Sequence, residues 1–153
     1  MIVPATPHHI AEVTRHLRRE DEHECLAMSP WTTREELAEA AVAWGGLRYA
    51  CVDVAGTAVA VAGLVERWPG VATAWAFGTE LFSLYAIEIT RACRRALAAA
   101  FNGARIHRVQ AMSWAGHHEA HRWLEVLGFT REAVLRCFGR AREDYIVFAR
   151  LAA

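Results

Sequence analysis

A short segment near the end of the chain concentrates the side chains best suited to chemistry. His117 and His121 are four residues apart, so on a helix both imidazoles would lie on one face, as paired metal ligands do. The zinc-protease pattern is His-Glu-x-x-His, however, and the run from His118 through Glu119 to His121 is one residue short of it. A structural zinc would need further ligands, which the sequence does not identify. We therefore expect no metal site and interpret these histidines as solvated or helix-capping.

The segment that carries these histidines also predicts the element that would position them. Four apolar residues follow helical spacing and form one stripe: Ala120, Trp123, Leu124 and Leu127. Gly128 stands where a helix end favours a residue that can adopt positive φ. A strand is then expected from Phe129. The pattern indicates a short amphipathic helix between two strands.

The composition is typical of one compact domain that spans residues 1–153. The chain is 54% hydrophobic and 22% charged, and its 17 basic residues balance 17 acidic ones. All the basic residues are arginine. Because there is no basic excess, nucleic-acid binding through bulk charge is not expected. The longest apolar run, residues 58–65, is too short to cross a membrane, and the N-terminal residues show no signal-peptide pattern.

The four cysteines are far apart and contain no Cys-x-x-Cys pair. Each lies among apolar residues, where a free cysteine behaves as a small hydrophobic side chain. The spacing favours a reducing compartment over a disulfide framework.

Hydrophobic periodicity and turn residues predict the order βααβββαβαββ. The expected helices cover residues 8–25, 33–44, 80–101 and 117–127, and the expected strands 2–3, 49–54, 57–66, 71–77, 107–112, 129–138 and 145–151. This order predicts an α/β fold of the α+β kind, with a mixed, mostly antiparallel central sheet of about six or seven strands and helices on both faces.

Two resemblances follow from these segments. The opening Ile-x-Pro-Ala-Thr and the closing Leu-Gly-Phe resemble the GCN5-related N-acetyltransferase fold. Three further segments resemble the internal-virion-protein A (Gp13-like) family of short-tailed bacteriophages and prophages: residues 17–24 (LRREDEHE), 74–79 (AWAFGT) and 121–129 (HRWLEVLGF). The second resemblance implies a phage-encoded virion or assembly protein built on an acetyltransferase-like fold.

The acetyltransferase resemblance implies a phosphate-binding loop after the third central strand. That loop usually reads Gln/Arg-x-x-Gly-x-Gly/Ala, since glycines let backbone N–H groups approach the diphosphate of acetyl-CoA. Residues 78–83 (GTELFS) offer one glycine, and Glu80 would place negative charge beside the phosphates. Any cofactor contacts would come from Phe77, Gly78, Thr79 and His117, where His117 replaces the asparagine found in relatives. We expect no cofactor in the usual mode.

The resemblance also implies a catalytic base and acid, which this chain lacks at the expected positions. The strand 71–77 contains no ionisable side chain in place of the usual glutamate, and Leu124 replaces the usual tyrosine acid. Replacement bases could be Glu66, His107 or Tyr145, but no spacing selects one of them.

The sequence therefore favours a non-catalytic phage virion or assembly protein that acts through protein–protein contacts. Its expected partners are other phage structural or assembly proteins, with oligomerisation also open, in the virion or the bacterial host cytoplasm. The alternative is an active acetyl-CoA-dependent N-acetyltransferase with an atypical cofactor loop.

Overall fold

The computed structural model describes residues 1–103 and 105–152. Its strands are β1 (Ile2–Pro4), β2 (Leu47–Val52), β3 (Ala58–Trp68), β4 (Val71–Gly78), β5 (Arg108–Trp114), β6 (Thr130–Leu135) and β7 (Tyr145–Leu151). Its α-helices are α1 (Pro7–Arg15), α2 (Arg19–Ala27), α3 (Arg34–Ala43), α4 (Ala86–Asn102) and α5 (His118–Val126). A 3-10 helix, Glu80–Tyr85, lies between β4 and α4.

The strands form one sheet in the order β1-β2-β3-β4-β5-β7-β6, in which only β4 and β5 run parallel. These two strands pair only over residues 71–73 and 108–110. Beyond that point β4 continues along β3 to Gly78, whereas β5 continues along β7 to Trp114. The centre of the sheet therefore opens where β4 and β5 separate. The mixed, mostly antiparallel α/β fold predicted from the sequence is confirmed.

Helices cover both faces of the sheet. Ala50 and Val52 of β2 pack in a core cluster with Leu37 of α3, while Cys51 between them packs with Ile89 of α4. Because neighbouring residues of a strand point to opposite faces, α3 and α4 lie on opposite sides. The first cluster also contains residues of α1, so α1 lies on the same face of the sheet as α3. A further cluster contains residues of both α4 and α5, so these two helices pack together. None of the described helices is long and apolar enough to cross a membrane.

The predicted helix over residues 8–25 is wrong as a single element, because the chain forms α1 and α2 with a break between them. At the break, Leu17 forms a β-bridge with Thr79. The N–H of Arg18 donates to the carbonyl of Gly78 at 3.0 Å. Pairing with the end of β4 thus replaces the helical hydrogen bonds, and the fold has one helix more than the predicted order.

The predicted helix 80–101 also begins differently from the expectation. The N–H of Phe82 donates to the carbonyl of Thr79 at 3.0 Å, an i to i+3 bond of the 3-10 type. Thr79 is itself held to β3, since its N–H and hydroxyl both donate to the carbonyl of Val59. The α-helix begins only at Ala86.

Candidate functional site

A cavity of about 210 Å³ lies where β4 and β5 separate. We call it the interstrand cavity. It is lined by residues 73–77 of β4 and 111–113 of β5, together with side chains of α2, α4 and α5. Many of these lining residues are small, including Ala74, Ala76 and Ala111, so the space left by the diverging strands is not filled.

The backbone edge of β4 faces the opening between the strands. Gly78 uses its N–H and carbonyl for contacts with Asp21 and Arg18 rather than with β3. The N–H and carbonyl groups of a strand point to alternate edges from one residue to the next. Those of Ala74 and Ala76 therefore point away from β3, as those of Gly78 do. A ligand with amide groups can therefore extend along β4 as an added strand.

Helix α2 brings buried charges to this end of β4. The carboxylate of Asp21, only 3% exposed, accepts the Gly78 N–H at 2.7 Å and forms an ion pair with Arg18 at 2.9 Å. The Arg18 guanidinium also lies over the ring of Phe82, 4.5 Å from its centroid. Burial raises the pKa of Asp21, and the Arg18 charge offsets only part of that effect.

Glu24, one helical turn further along α2, is the centre of a hydrogen-bond network. Its Oε2 accepts from the Ser113 hydroxyl and from the Trp114 N–H, both at 2.7 Å, and lies 3.1 Å from Nδ1 of His117. Its backbone carbonyl accepts the Tyr145 hydroxyl at 2.9 Å. The network fixes the Glu24 carboxylate between α2, the end of β5 and the start of α5.

His117 is almost fully buried, with 2% of its surface exposed, so its interpretation as a solvated or capping residue is wrong. It lines the interstrand cavity. Its Nε2 has no hydrogen-bond partner in the described part of the chain, and the nearest carboxylate oxygen, Oδ1 of Asp21, is 3.8 Å away. Burial alone would lower the pKa of His117, but the hydrogen bond to Glu24 and the charges of Glu24 and Asp21 outweigh burial and raise it.

His121 is also buried, at 4% exposure, which again differs from the sequence interpretation. Its Nε2 lies 3.0 Å from the carbonyl of Trp114, and its ring packs on Phe148. Burial lowers the pKa of His121. Over residues 1–103 and 105–152, no group of three or more histidine, cysteine or acidic side chains is arranged to hold a metal ion.

Of the three candidate bases named from the sequence, two lie at one end of β4 and the third lies near its other end. Glu66 accepts the N–H of Gly70 at 3.2 Å, and the His107 N–H donates to the Gly70 carbonyl at 2.9 Å. Both therefore lie at the turn where β4 begins, away from the cavity end of that strand. Tyr145 is instead next to Glu24. The structure places Tyr145 beside Glu24, which lines the cavity, whereas the other two lie away from the cavity.

The proposed cofactor contacts at Phe77, Gly78 and Thr79 lie at the end of β4, and Phe77 lines the cavity. The N–H groups of residues 78, 79, 81 and 82 are already bonded within the protein. Glu80 and Leu84 are exposed there. The loop therefore offers few free N–H groups to a phosphate, whereas the opening along β4 leaves room for a narrow, extended ligand.

Sequence reasoning did not identify Asp21 and Glu24 as site residues, because they belong to a densely charged run that is typical of a solvated helix face. One signal was present. Arg18, Asp21 and Glu24 are spaced by three residues, so they share a helix face, and the next residue on that face is Met28. An apolar residue within a charged stripe is consistent with a face that packs inward.

No family model matches this chain, and no curated protein matches it significantly. Solved structures do share its fold. The ribosomal-protein-S18-alanine N-acetyltransferase of Escherichia coli is 16% identical, covers 100% of this chain and 94% of its own, and has a TM-score of 0.72. A GNAT-family acetyltransferase of Bacillus anthracis is 14% identical, with 99% and 93% coverage and a TM-score of 0.71. The ribosomal-protein-S5-alanine acetyltransferase of Vibrio fischeri is 17% identical, with 99% and 92% coverage and a TM-score of 0.69. These likenesses show an acetyltransferase-like fold.

Proposed function

We propose that this protein is an N-acyltransferase that moves an acyl group from a coenzyme A thioester to an amine. The observation that carries the proposal is the interstrand cavity, which joins a free backbone edge of β4 to a buried polar network around Glu24 and His117. Fold likeness alone does not establish an activity. The cavity supports this one because it offers a channel for an extended thioester arm and polar groups at its end.

The reaction requires three things of the protein. The arm must be held in extended form, for which the carbonyl of Ala74 and the N–H and carbonyl of Ala76 are placed, since they lie beyond the last pairing of β4 with β5. The thioester oxygen must be stabilised as it gains negative charge, and an N–H on the same edge can donate to it. The amine must reach the carbonyl carbon without competing water, and the mostly apolar walls around Ala111 and Leu124 favour that.

The cofactor grip differs from the usual one. Because the loop after β4 does not present free N–H groups in the usual pattern, the diphosphate gains little there, and exposed Glu80 repels it. The pantetheine arm then contributes most of the affinity. We expect acetyl-CoA to bind weakly and acetyl-pantetheine, which has no diphosphate, to bind almost as well.

Isothermal titration calorimetry with acetyl-CoA and acetyl-pantetheine tests the binding step, and thiol release in the presence of primary amines tests transfer. Micromolar to low-millimolar binding with amine-dependent thiol release supports the proposal. If neither compound binds at millimolar concentration and no amine releases thiol, the protein is not an acyltransferase.

The second candidate is a non-catalytic phage virion or assembly protein, as the sequence resemblance implies. The observation that favours it is an exposed apolar stripe at Leu81, Leu84 and Ile87, in the region where a cofactor diphosphate would otherwise lie. Such a stripe is suited to contact with other phage proteins or a second copy of the chain. Mass spectrometry of purified virions tests this role: detection of the protein in the particle supports it, and its absence from both particles and assembly intermediates opposes it.

A further inference from the structure

Three atoms of the cavity-lining side chains are buried without a hydrogen-bond partner in the described part of the chain: Nε of Arg18, Nε1 of Trp75 and Nε2 of His117. Of these, only the imidazole nitrogen of His117 can accept a proton. The side chain is 2% exposed, and Nε2 has no hydrogen-bond partner within residues 1–103 and 105–152. A buried polar atom without a partner destabilises the fold, so such atoms commonly serve a ligand or a reaction. The other ring nitrogen is fully used, because Nδ1 faces Glu24 at 3.1 Å.

We infer that His117 is the general base that takes the proton from the acceptor amine, and that Glu24 positions its ring. The inference rests on the proposed function, since it assigns the proton acceptor for that same transfer. Neither residue lies at the positions where the sequence resemblance places a base or an acid.

The contacts of Glu24 determine which nitrogen of His117 carries the proton. An ionised carboxylate only accepts hydrogen bonds, so Nδ1 must donate to Oε2 and must carry the hydrogen. Neutral His117 then has its lone pair on Nε2, on the side of Asp21 and the cavity. Ser113 and Trp114 hold Oε2 with two further bonds of 2.7 Å, which prevents Glu24 from turning away.

The surrounding charges suit an amine that arrives as an ammonium ion. The charged groups that face His117 are Asp21 and Glu24 of α2 and the adjacent Arg18, while Ser113 on β5 and Tyr145 on β7 are neutral neighbours. With two carboxylates and one guanidinium nearby, the net charge around a neutral His117 is negative, which favours the approach of a cation. Because Asp21 and His117 are shielded from bulk water and both line the cavity, the amine must enter from the cavity.

Proton transfer comes before bond formation. The ammonium gives one proton to Nε2, and the imidazolium is stabilised through Nδ1–H by Glu24. The freed lone pair of the amine nitrogen attacks the thioester carbonyl carbon and forms the C–N bond. The C–S bond then breaks, the sulfur takes the second amine proton, and the products are an amide and a thiol. His117 finally releases its proton to solvent.

The raised pKa of His117 supports this role, because a general base works best when its pKa lies near the working pH. Removing such a base typically costs about 10²–10⁴-fold in rate. A residue that only maintains the fold would not set the pH profile of the reaction.

The test combines enzyme kinetics with NMR titration of the histidine rings, using acetyl-CoA with phenethylamine and n-butylamine as probes. For the wild-type protein, kcat/KM should rise with pH around the pKa that NMR assigns to His117. Glu24→Gln should lower the pKa that NMR assigns to His117, and the midpoint of the kcat/KM profile should move to lower pH with it. His117→Gln should lose about 10²–10⁴-fold in kcat, a much larger change than any change in the dissociation constant of acetyl-CoA.

His121→Gln is the matched control, because His121 is equally buried and also has one unpartnered ring nitrogen, but it does not belong to the described residues that line the cavity. It should keep the wild-type pH profile, and circular dichroism checks that every variant is folded. A wild-type protein that is inactive with both amines overturns the proposed function together with this inference. An active wild type whose His117→Gln variant keeps its rate and pH profile overturns the inference alone.

Discussion

The carboxylate of Asp21 accepts the backbone N–H of Gly78 at 2.7 Å, across 57 positions of sequence. This bond attaches α2 to the end of β4, five residues beyond the last pairing of β4 with β5. It occupies one of the backbone groups that the separation of the strands leaves open. The same carboxylate forms an ion pair with Arg18, so one side chain both accepts the N–H of a strand end and neutralises a half-buried guanidinium.

Replacing Asp21 should therefore destabilise the fold strongly. Asp21→Leu leaves Arg18 without its ion pair and Gly78 without an acceptor, and breaking a buried pair by removing one partner costs about 3–5 kcal/mol. Urea unfolding followed by circular dichroism measures the free energy of unfolding. Glu20→Gln, at an exposed neighbouring position on the same helix, should change it by less than about 0.5 kcal/mol. A loss below about 1 kcal/mol for Asp21→Leu would show that the pair is not a main support of α2.

The two buried histidines should affect the pH dependence of stability in opposite directions. The folded pKa of His117 is raised above its ordinary value of 6.5, so its stabilising contribution is present below pH 6.5 and is lost as the pH rises through the folded pKa. His117→Gln should therefore reduce the free energy of unfolding more at pH 5.5 than at pH 8.5.

His121 provides the opposite case, because its folded pKa lies below its ordinary value of 6.5. Its contribution is present above pH 6.5 and is lost as the pH falls through the folded pKa. Urea unfolding of His121→Gln at the same two pH values should show the larger loss at pH 8.5. Parallel pH trends for both variants would contradict the opposite environments seen in the structure.

Removing the exposed carboxylate of Glu80 should strengthen the binding of acetyl-CoA. Glu80→Ala removes one negative charge from the region proposed for the diphosphate, and exposed charge pairs are typically worth 0.2–1 kcal/mol, or roughly a 1.4- to fivefold change in affinity. Calorimetric titration at low salt measures the change, which should shrink in added salt. Glu39→Ala on α3 is the exposed control and should have no effect. Unchanged affinity in Glu80→Ala would mean that the diphosphate lies elsewhere.

Filling the interstrand cavity should block binding of the thioester arm. Ala74→Leu adds bulk to a residue that lines the cavity, so both acetyl-CoA and acetyl-pantetheine should bind at least tenfold more weakly, which corresponds to about 1.4 kcal/mol. The matched control is Ala133→Leu, the same change at an exposed position of β6. If Ala74→Leu binds both compounds as well as the wild-type protein, the arm does not use this cavity.

The helix split at residues 16–18 illustrates where prediction from the sequence reached its limit. Local periodicity over residues 8–25 is helical, and nothing within that window interrupts it. The interruption comes from Gly78 and Thr79, which pair with Arg18 and Leu17 from some 60 residues away. Pairing over that distance depends on how the strands are arranged, which periodicity does not report.

The histidines at 117 and 121 show the same limit at the level of the site. Their spacing correctly places them near one another on or beside a helix, but spacing carries no information about burial. The structure gives them different environments, since one faces two carboxylates and the other faces a backbone carbonyl. A metal-ligand interpretation and a capping interpretation were both drawn from the same local pattern.

By itself the sequence determined the fold class and the order of the strands, because these follow from local hydrophobic periods and turn residues that short segments carry on their own. Its resemblance to acetyltransferases also predicts that the usual phosphate loop, base and acid are replaced at the matching positions. Only the tertiary structure decided that Asp21 and Glu24 turn inward, that β4 and β5 separate around a cavity, and that His117 lies between two carboxylates. Burial and the charges that surround a group depend on residues distant in sequence, and those same factors set its hydrogen-bond partners and its pKa.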